Sequence, residues 1–228
     1  MKTCNIIIPA WGCEKYIMDC VKSVYGQLPT PGWEYRILFC VDACQKTAAV
    51  LTENKIPFMW SKNNMGHYIM RNSAMYQFPA DVHAYFDGDD IMVNNYVKRT
   101  LAEIDKTGLV MCAKWNCNEQ MVVKSHAVVE NGGAMTFTDE VLKAVGGFVA
   151  VRCAADTDFL RRIEMAGFSI TKINEGLYYR RSHPGALTKK ADTGMGSPYR
   201  KTVWSEMCAA REKGIFKIDP VTVKLEAR

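Results

Sequence analysis

Three carboxylates at the end of an apolar run are the residues of this sequence whose types and spacing best suit chemistry. The run Val82–Phe86 is typical of a buried strand, and Asp87, Asp89 and Asp90 follow it. Ligands of α/β sheets bind at the carboxyl ends of strands, and clustered carboxylates need a cation or a ligand that compensates their charge. Oxygen ligands favour Mg²⁺ or Mn²⁺. The cluster therefore predicts a metal site, with a simple polar Asp-Gly turn as the alternative.

The composition is that of an enzyme-sized globular chain. Its 228 residues, 48% of them hydrophobic, can bury a substantial core. No apolar run is long enough to cross a bilayer, and Pro9 interrupts the run Ile6–Ile8, which suits a strand rather than a signal peptide. Nine cysteines form no Cys-x-x-Cys pair. This pattern argues against a zinc site and a secreted disulfide scaffold, and it predicts reduced thiols and a cytoplasmic location.

Positive charge is concentrated near the C-terminal end of the sequence. Residues 180–217 contain nine basic and three acidic side chains, whereas the net charge of the whole chain is +5. Such a segment can contact phosphates, an anionic membrane surface or nucleic acid, or it can be a solvated helix face. A peripheral location at an anionic membrane therefore stays open.

Strand-like and helix-like patterns alternate in the first half of the chain. The strand-like runs are Asn5–Pro9, Tyr35–Val41, Pro57–Ser61 and Val82–Phe86. The helix-like runs are Glu14–Tyr25, Thr47–Asn54, Tyr68–Phe78 and Asn94–Lys106, the last stopped by Gly108. This repetition predicts an α/β fold whose Rossmann-like, mainly parallel sheet carries helices on both faces.

The second half of the chain has a less regular pattern. Its β-rich runs are Leu109–Val129, Ala134–Phe137, Ser169–Ile173 and Leu177–Arg180. The predicted helices are Thr138–Val145, with Thr138 as N-cap, Asp156–Ala166 and Tyr199–Lys213. A mixed sheet is expected here. Because no linker separates the halves, we expect both to belong to one fold.

Seven motifs follow one another along the chain: Ile6–Ala10 before Cys13–Tyr16, the strand ending in Asp42, Asn64–Gly66 with Arg71-Asn72, Phe86–Asp90, Val145–Phe148, Ala155–Asp158 with Arg161, and Tyr179–His183. In this order they resemble the family 2 glycosyltransferases of the GT-A fold. Each motif alone is weak, but their shared order and spacing make coincidence an inadequate explanation. The resemblance spans about residues 3–190.

The resemblance implies a metal-dependent transfer of a sugar from a nucleotide-diphosphate sugar, a UDP-sugar above all, to an acceptor hydroxyl. It also implies inversion at the anomeric carbon. Residues 1–107 are then the nucleotide-sugar-binding half and residues 108–190 the acceptor-binding and catalytic half with a mixed sheet. Residues 191–228 form a basic C-terminal helix segment. The acceptor stays open among a glycan, a lipid-linked sugar, a protein and a modified nucleic acid, as does the oligomeric state.

Several residues at matching positions are expected to bind the donor. Asp42 can accept a hydrogen bond from the base or ribose, or can cap a helix. Arg71 can reach the base or diphosphate, or can form a surface salt bridge. The full set expected to bind the nucleotide-sugar is Pro9, Ala10, Asp42, Asn64, Arg71, Asp87, Gly88, Arg180 and Arg181.

The leaving diphosphate needs positive charge as the glycosidic bond breaks. The resemblance implies that Asp89 holds Mn²⁺ or Mg²⁺, that Asp87 contacts ribose or metal, and that His183 is a further metal ligand or contacts a phosphate. A lone histidine is more often structural, so His183 also has that alternative. Arg180, Arg181 and Lys189 are expected to close over the diphosphate.

Asp156 matches the position of the family's catalytic base. It is predicted at the N-terminus of a helix, where an aspartate can also be an N-cap. The helix dipole lowers the basicity of a carboxylate there, but a positioned carboxylate can still take a proton late in the transition state. As a base opposite the leaving group, Asp156 would direct inversion.

Two positions depart from the family's pattern. Ala43-Cys44-Gln45 follows Asp42 where the family usually has Asp-Gly-Ser, which leaves the donor base open. Ala155-Asp156 stands where Glu-Asp is usual, so the proposed base keeps its place but loses a neighbouring carboxylate. Two other functions stay open. One is glycosylation of hydroxylated DNA bases, suggested by the basic segment, and the other is a non-catalytic nucleotide-binding module.

Overall fold

The computed structural model describes residues 1–125, 127–129 and 133–228. Within these residues, nine strands form one mixed sheet in the order β5-β8-β6-β7-β4-β1-β2-β3-β9. The strands are β1 Lys2–Ala10, β2 Trp33–Asp42, β3 Met59–Ser61, β4 Val82–Tyr85, β5 Ile91–Met92, β6 Leu109–Cys117, β7 Met135–Thr138, β8 Thr171–Arg181 and β9 Glu226–Ala227. The helices are α1 Ile17–Tyr25, α2 Gln45–Glu53, α3 His67–Gln77, α4 Tyr96–Leu101, α5 Ile104–Thr107, α6 Asp139–Val145, α7 Ala155–Met165 and α8 Pro198–Glu212.

The predicted α/β architecture is confirmed. Strands β1, β2, β3 and β4 are parallel to their neighbours in this group, so their carboxyl ends share one edge of the sheet. Alternate residues of β1 enter different cores, because side chains of a strand alternate between faces. Ile6 and Ile8 pack with α1, whereas Ile7 packs with α3. Helices therefore cover both faces of the sheet.

The second half forms the expected mixed part of the sheet. β7 is antiparallel to both β4 and β6, β5 is antiparallel to β8, and β6 is parallel to β8. The two predicted strands Ser169–Ile173 and Leu177–Arg180 are one strand, β8, whose register against β6 shifts near Ala113. Within the predicted run Leu109–Val129, β6 is followed by bridges at Val123 and Val128, and His126 lies outside the described residues.

Helix ends follow the predicted signals in two places. Thr138 Oγ1 accepts a hydrogen bond from Val141 N at 3.3 Å and caps α6, and Gly108 ends α5 in the left-handed conformation. The single helix predicted over Asn94–Lys106 is wrong, because the chain forms two short helices, α4 and α5.

The predicted C-terminal helix segment contains more than a helix. After α8, residues 215–228 run back along α3, and we call this stretch the C-terminal strap. Val223 N donates to Ser73 Oγ at 2.9 Å, and Leu225 N donates to Gln77 Oε1 at 2.9 Å. The strap then adds β9 to the outer edge of β3. It therefore belongs to the core packing, with Leu225 buried.

No helix in the described part of the chain is both long and apolar enough to cross a membrane.

Candidate active site

A cavity of about 350 Å³ lies at the carboxyl ends of β1, β2 and β4. Ten of the residues predicted from the sequence to bind donor or metal line it: Pro9, Ala10, Asp42, Asn64, Asp87, Gly88, Asp89, Arg180, Arg181 and His183. Arg71 and Asp156 lie outside its lining. The fold thus brings together residues from both halves of the chain at the edge where α/β sheets bind ligands.

Asp42 ends β2 and organises the turn that leads into α3. Its carboxylate accepts hydrogen bonds from Met65 N at 2.7 Å and Gly66 N at 2.8 Å, and its backbone oxygen accepts one from Asn64 Nδ2 at 3.3 Å. Burial raises the pKa of Asp42, and the two backbone donors partly offset this effect. Asp42 therefore supports the start of α3. A carboxylate has about four acceptor positions, so Asp42 can accept further hydrogen bonds. Its predicted contact with the nucleotide-sugar stays a prediction.

Arg71 reaches the cavity only through Asp87. Its guanidinium is 3% exposed, and its Nη2 lies 2.5 Å from Asp87 Oδ1. The guanidinium also stacks over the ring of Tyr85, 4.1 Å from the ring centre. The surface salt bridge considered for Arg71 is wrong, since the cation is buried. Arg71 instead fixes the carboxylate of Asp87, which is itself 41% exposed at the cavity.

Asp89 and His183 converge from distant parts of the sequence. Asp89 follows β4 and His183 follows β8, and Asp89 Oδ2 lies 2.8 Å from His183 Nε2. The His183 ring packs 4.8 Å from that of Tyr16. In the described parts of the chain, no group of three or more His, Cys, Asp or Glu side chains is arranged to hold a metal ion. Asp89 and His183 are therefore two potential metal ligands, and the described residues do not supply a complete coordination shell.

Asp90, next to Asp89 in the turn, is almost fully buried although it borders the cavity. It accepts the backbone N–H of Arg181 at 2.8 Å. Burial, reinforced by the neighbouring Asp89 and Asp87, raises the pKa of Asp90 well above its ordinary value. The Asp90 side chain therefore has a structural role, because its hydrogen bond joins the turn after β4 to the end of β8. Arg180 faces the cavity, and its Nη2 donates to Thr188 Oγ1 at 3.3 Å.

Asp156 is the second residue of α7, beside α3. The N-cap of α7 is Ala154, which has φ of 69° and no side-chain cap, so Asp156 does not cap the helix. Its Oδ1 accepts a hydrogen bond from Thr157 N at 2.8 Å. Asp156 is partly exposed and lies within electrostatic range of Tyr68 and Arg71. The structure therefore places a carboxylate near the cavity's Asp87 side but outside its wall.

The motif Val145–Phe148 holds α7 and α3 together. Gly146 and Gly147 have positive φ, and a Cβ on Gly146 would lie 1.8 Å from Ile218 O of the C-terminal strap. Asn72 Oδ1 accepts from Phe148 N at 2.9 Å, and Asn72 Nδ2 donates to Phe148 O at 2.8 Å. Glycine is required here by both conformation and space.

Among the cavity-lining residues that the sequence did not predict, those with aromatic or basic side chains are Trp11, His67, Arg152 and Lys190. Lys190 Nζ lies 4.9 Å from the ring centre of Trp11 across the cavity mouth. Burial and the nearby Arg71 guanidinium lower the pKa of His67 to about 3, so its imidazole is neutral. Trp11 and His67 each follow a recognised motif directly, which is the signal that could have identified them.

The comparisons with known proteins agree with this geometry. The model of the family "Glycosyl transferase family 2" matches residues 5–155. Staphylococcus aureus TarS 1–349 in complex with UDP-GlcNAc has a TM-score of 0.68 and 19% identity over 82% of this chain and 60% of that one. TarS 1–349 with UDP has a TM-score of 0.66 and 17% identity over 93% and 72%. A search of the curated proteins finds no match.

A third solved structure supports the same fold. It is the Pyrobaculum calidifontis mannosyltransferase PcManGT in complex with GDP-Man and Mn²⁺, with a TM-score of 0.66 and 14% identity over 91% of this chain and 69% of that one. The sheet, the cavity at its edge and these neighbours define a GT-A fold. Because the family model covers most of the chain, the chain belongs to glycosyl transferase family 2. The match ends one residue before Asp156.

Proposed function

We propose that the chain transfers a sugar from a nucleotide-diphosphate sugar, a UDP-sugar, to an acceptor hydroxyl in a divalent-metal-dependent, inverting reaction. The observation that carries this proposal is the convergence of the ends of β1, β2 and β4 with the end of β8 around one cavity. In it, cationic and carboxylate side chains from both halves face each other, which is what a diphosphate and a metal ion together require.

The donor's nucleoside end fits the β1–β2 side of the cavity. The backbone of Pro9 and Ala10 and the exposed ring of Trp11 form its wall there, and Asp87, held by Arg71, would contact the ribose. TarS in complex with UDP-GlcNAc and UDP favours a UDP-sugar. Residues 1–107 would then be the donor half and residues 108–190 the acceptor half.

Asp89 and His183 fit a Mn²⁺ or Mg²⁺ ion. In nucleotide sites such ions keep several waters and take few protein ligands besides the phosphates. Two protein ligands, Asp89 Oδ2 and His183 Nε2 at 2.8 Å from each other, are therefore enough. Asp87 is bonded to Arg71 and is better placed for the ribose than for the metal. When bound, the ion would neutralise charge on the leaving diphosphate. The Mn²⁺ complex of PcManGT supports the use of a divalent ion in this fold.

Asp156 would take the proton of the acceptor hydroxyl. Thr157 N donates to Asp156 Oδ1, and the Tyr68 hydroxyl also lies within hydrogen-bonding reach of this carboxylate. Because a carboxylate has about four acceptor positions, one of them would take the acceptor hydroxyl. Attack assisted by a base opposite the diphosphate gives inversion. Arg180 and Arg181 line the cavity, where they would contact the leaving diphosphate. The base would act on the opposite side of the anomeric carbon.

The contacts of the basic side chains bear on the proposed acceptor. Three arginines of the basic segment after residue 180 are engaged within the protein: Arg181 pairs with Asp19, Arg200 bonds Thr193 O, and Arg211 pairs with Asp158. This weakens hydroxylated DNA bases as acceptors and favours a glycan, a lipid-linked sugar or a protein. We also propose a cytoplasmic location, with a peripheral position at an anionic membrane surface as the alternative.

The test is a hydrolysis screen of nucleotide-sugars with Mn²⁺ and with Mg²⁺, since such enzymes slowly hydrolyse their donors. We expect one UDP-sugar to be hydrolysed in the presence of metal and not with EDTA. NMR of the released sugar reports the anomeric configuration, which should be inverted. Binding of nucleotides without any turnover, even with added glycan acceptors, would instead support a non-catalytic module.

A further inference from the structure

Arg181, the last residue of β8, is buried at the junction of three segments that are far apart in sequence. Its guanidinium Nε donates to Asp89 O at 2.9 Å, Nη1 donates to Glu119 O at 2.6 Å, and Nη2 donates to Asp19 Oδ2 at 2.7 Å. The residue is only 6% exposed. Its side chain therefore contacts the turn after β4, the end of α1's first turn and the chain beyond β6 at once.

The chain beyond β6 forms a small hairpin, residues 117–123. Cys117 bridges Val123, Asn118 N donates to Val122 O at 3.0 Å, and Val122 N donates to Asn118 Oδ1 at 2.8 Å. The hairpin has a second tie to the donor half, because the Tyr16 hydroxyl donates to Glu119 Oε1 at 2.5 Å. The Arg181 guanidinium stacks on the same Tyr16 ring at 4.7 Å.

We propose that Arg181 is a positioning residue that locks the Asp89–Asp90 turn to the 117–123 hairpin, and that the hairpin thereby holds the metal-binding carboxylate in place. The proposal refines the sequence expectation that Arg181 closes over the diphosphate. Three of its five N–H donors, and the face of its guanidinium, are already committed to protein groups. Its backbone N–H adds a fourth tie, to the Asp90 carboxylate.

The arrangement depends on the shape of the guanidinium and not only on its charge. Only a planar group with donors in a fixed fork can bond a backbone carbonyl on each of two segments and a carboxylate on a third while stacking on an aromatic ring. A lysine ammonium keeps the charge but can meet only part of this set. By contrast, a residue that only neutralised a diphosphate would tolerate lysine.

The first experiment measures amide hydrogen exchange of the metal-free protein with Arg181→Lys. We expect exchange to rise about 10-fold or more at both the 87–91 turn and the 117–123 hairpin, the scale expected from losing charge-assisted hydrogen bonds. Arg180→Lys is the matched comparison, since Arg180 is the neighbouring residue of β8 and makes one hydrogen bond, to Thr188. It should leave exchange at both segments unchanged.

The second experiment measures Mn²⁺ affinity in the presence of saturating UDP by calorimetry, and it concerns the metal role in the proposed function. Arg181→Lys should weaken Mn²⁺ binding about 10-fold, and Asp19→Asn, outside the cavity lining, should weaken it in the same direction. In a double-mutant cycle the two changes should be non-additive, because both remove one linked set of bonds.

The results distinguish the positioning role of Arg181 from the metal dependence of the proposed function. Unchanged exchange at both segments in Arg181→Lys overturns the positioning role, whatever the metal data show. Raised exchange at the two segments with unaltered Mn²⁺ affinity also overturns it, since the lock would not reach Asp89. If the wild-type protein binds UDP without metal while Arg181→Lys raises exchange at both segments, the metal part of the proposed function fails but the lock between the segments stands.

Discussion

At the scale of single residues, the site separates groups that face the cavity from groups that hold them. Asp89 and His183 face it, whereas Arg71 lies behind it and orients Asp87 through a bond of 2.5 Å. Asp90 borders the cavity but is almost fully buried, and it accepts the backbone N–H of Arg181 at 2.8 Å. Buried charges persist where each has a partner, because an unpaired one is costly. The residues that sequence motifs mark therefore have two different physical tasks.

Asp156→Asn tests the proposed base. Transfer to the true acceptor should fall by about 10²–10⁴, the usual effect of losing a general base. Affinity for the nucleotide-sugar should stay within a few-fold of wild type, because Asp156 lies outside the cavity lining. Steady-state transfer and calorimetric donor binding measure the two quantities.

The fold makes the Asp156→Asn test clean. Ala154 is the N-cap of α7, so an amide at position 156 removes no cap, and the melting temperature should change little. Asp105→Asn is a matched control, since Asp105 is also the second residue of a helix, is 82% exposed in its pair with Lys2, and lies outside the cavity lining. A transfer rate of the Asp156→Asn variant equal to that of the control would remove Asp156 from the mechanism.

At the scale of elements, a buried charge network fastens α8 to α7. Arg162 Nε lies 2.7 Å from Asp158 Oδ2, and the Arg162 guanidinium also donates to the backbone oxygens of Val145 and Gly147. Arg211 of α8 pairs with the other oxygen of Asp158. The network therefore connects the helix that carries Asp156, the glycine turn and the C-terminal helix.

Asp158→Asn should destabilise the protein strongly. The substitution leaves two guanidinium groups next to a neutral amide in a site where Asp158 and Arg162 are each 2% exposed. Breaking a buried ion pair in this way costs about 3–5 kcal/mol. Urea unfolding measures the loss, with Glu206→Gln on the exposed face of α8 as control. A loss below about 1 kcal/mol, the scale of surface pairs, would contradict this view of the network.

The sequence predicts where the strands of the first half lie better than it predicts which distant residues contact each other. Alternation of apolar runs locates β1, β2 and β4, and the Asp-Gly-Asp-Asp turn marks the cavity, because these signals are local. The pairing of Asp42 with Met65 and the burial of Arg181 depend on contacts between distant segments. The C-terminal strap was missed although Val221, Val223, Leu225 and Ala227 alternate with polar residues, which is a strand-like signal. The run is short, and all of it but β9 bonds side chains of α3 in place of a neighbouring strand.

At the scale of the whole molecule, stability depends on a buried histidine on the sheet. His83 of β4 is fully buried, lies 3.8 Å from Asp139, and burial lowers its pKa to about 4. In the unfolded chain its pKa returns to the ordinary value of about 6.5. Because the unfolded state binds the proton more readily, stability should fall as pH drops from about 6.5 towards about 4.

The expected loss from His83 is about 2 kcal/mol between pH 7 and pH 5. His83→Leu cannot take up this proton, so its stability should decline less over the same interval. Urea unfolding of both proteins at the two pH values provides the comparison. Equal declines in the two proteins would show that His83 does not carry the acid sensitivity.

Metal-assisted binding of a nucleotide diphosphate at Asp89 is the central prediction for this protein. Calorimetric titration of UDP into the protein with Mn²⁺, with EDTA, and into Asp89→Asn with Mn²⁺ tests it in one series. We expect binding with Mn²⁺ and at least a 10-fold loss of affinity in the other two titrations, with an unchanged melting temperature for Asp89→Asn. Equal UDP affinity in all three titrations would contradict the account.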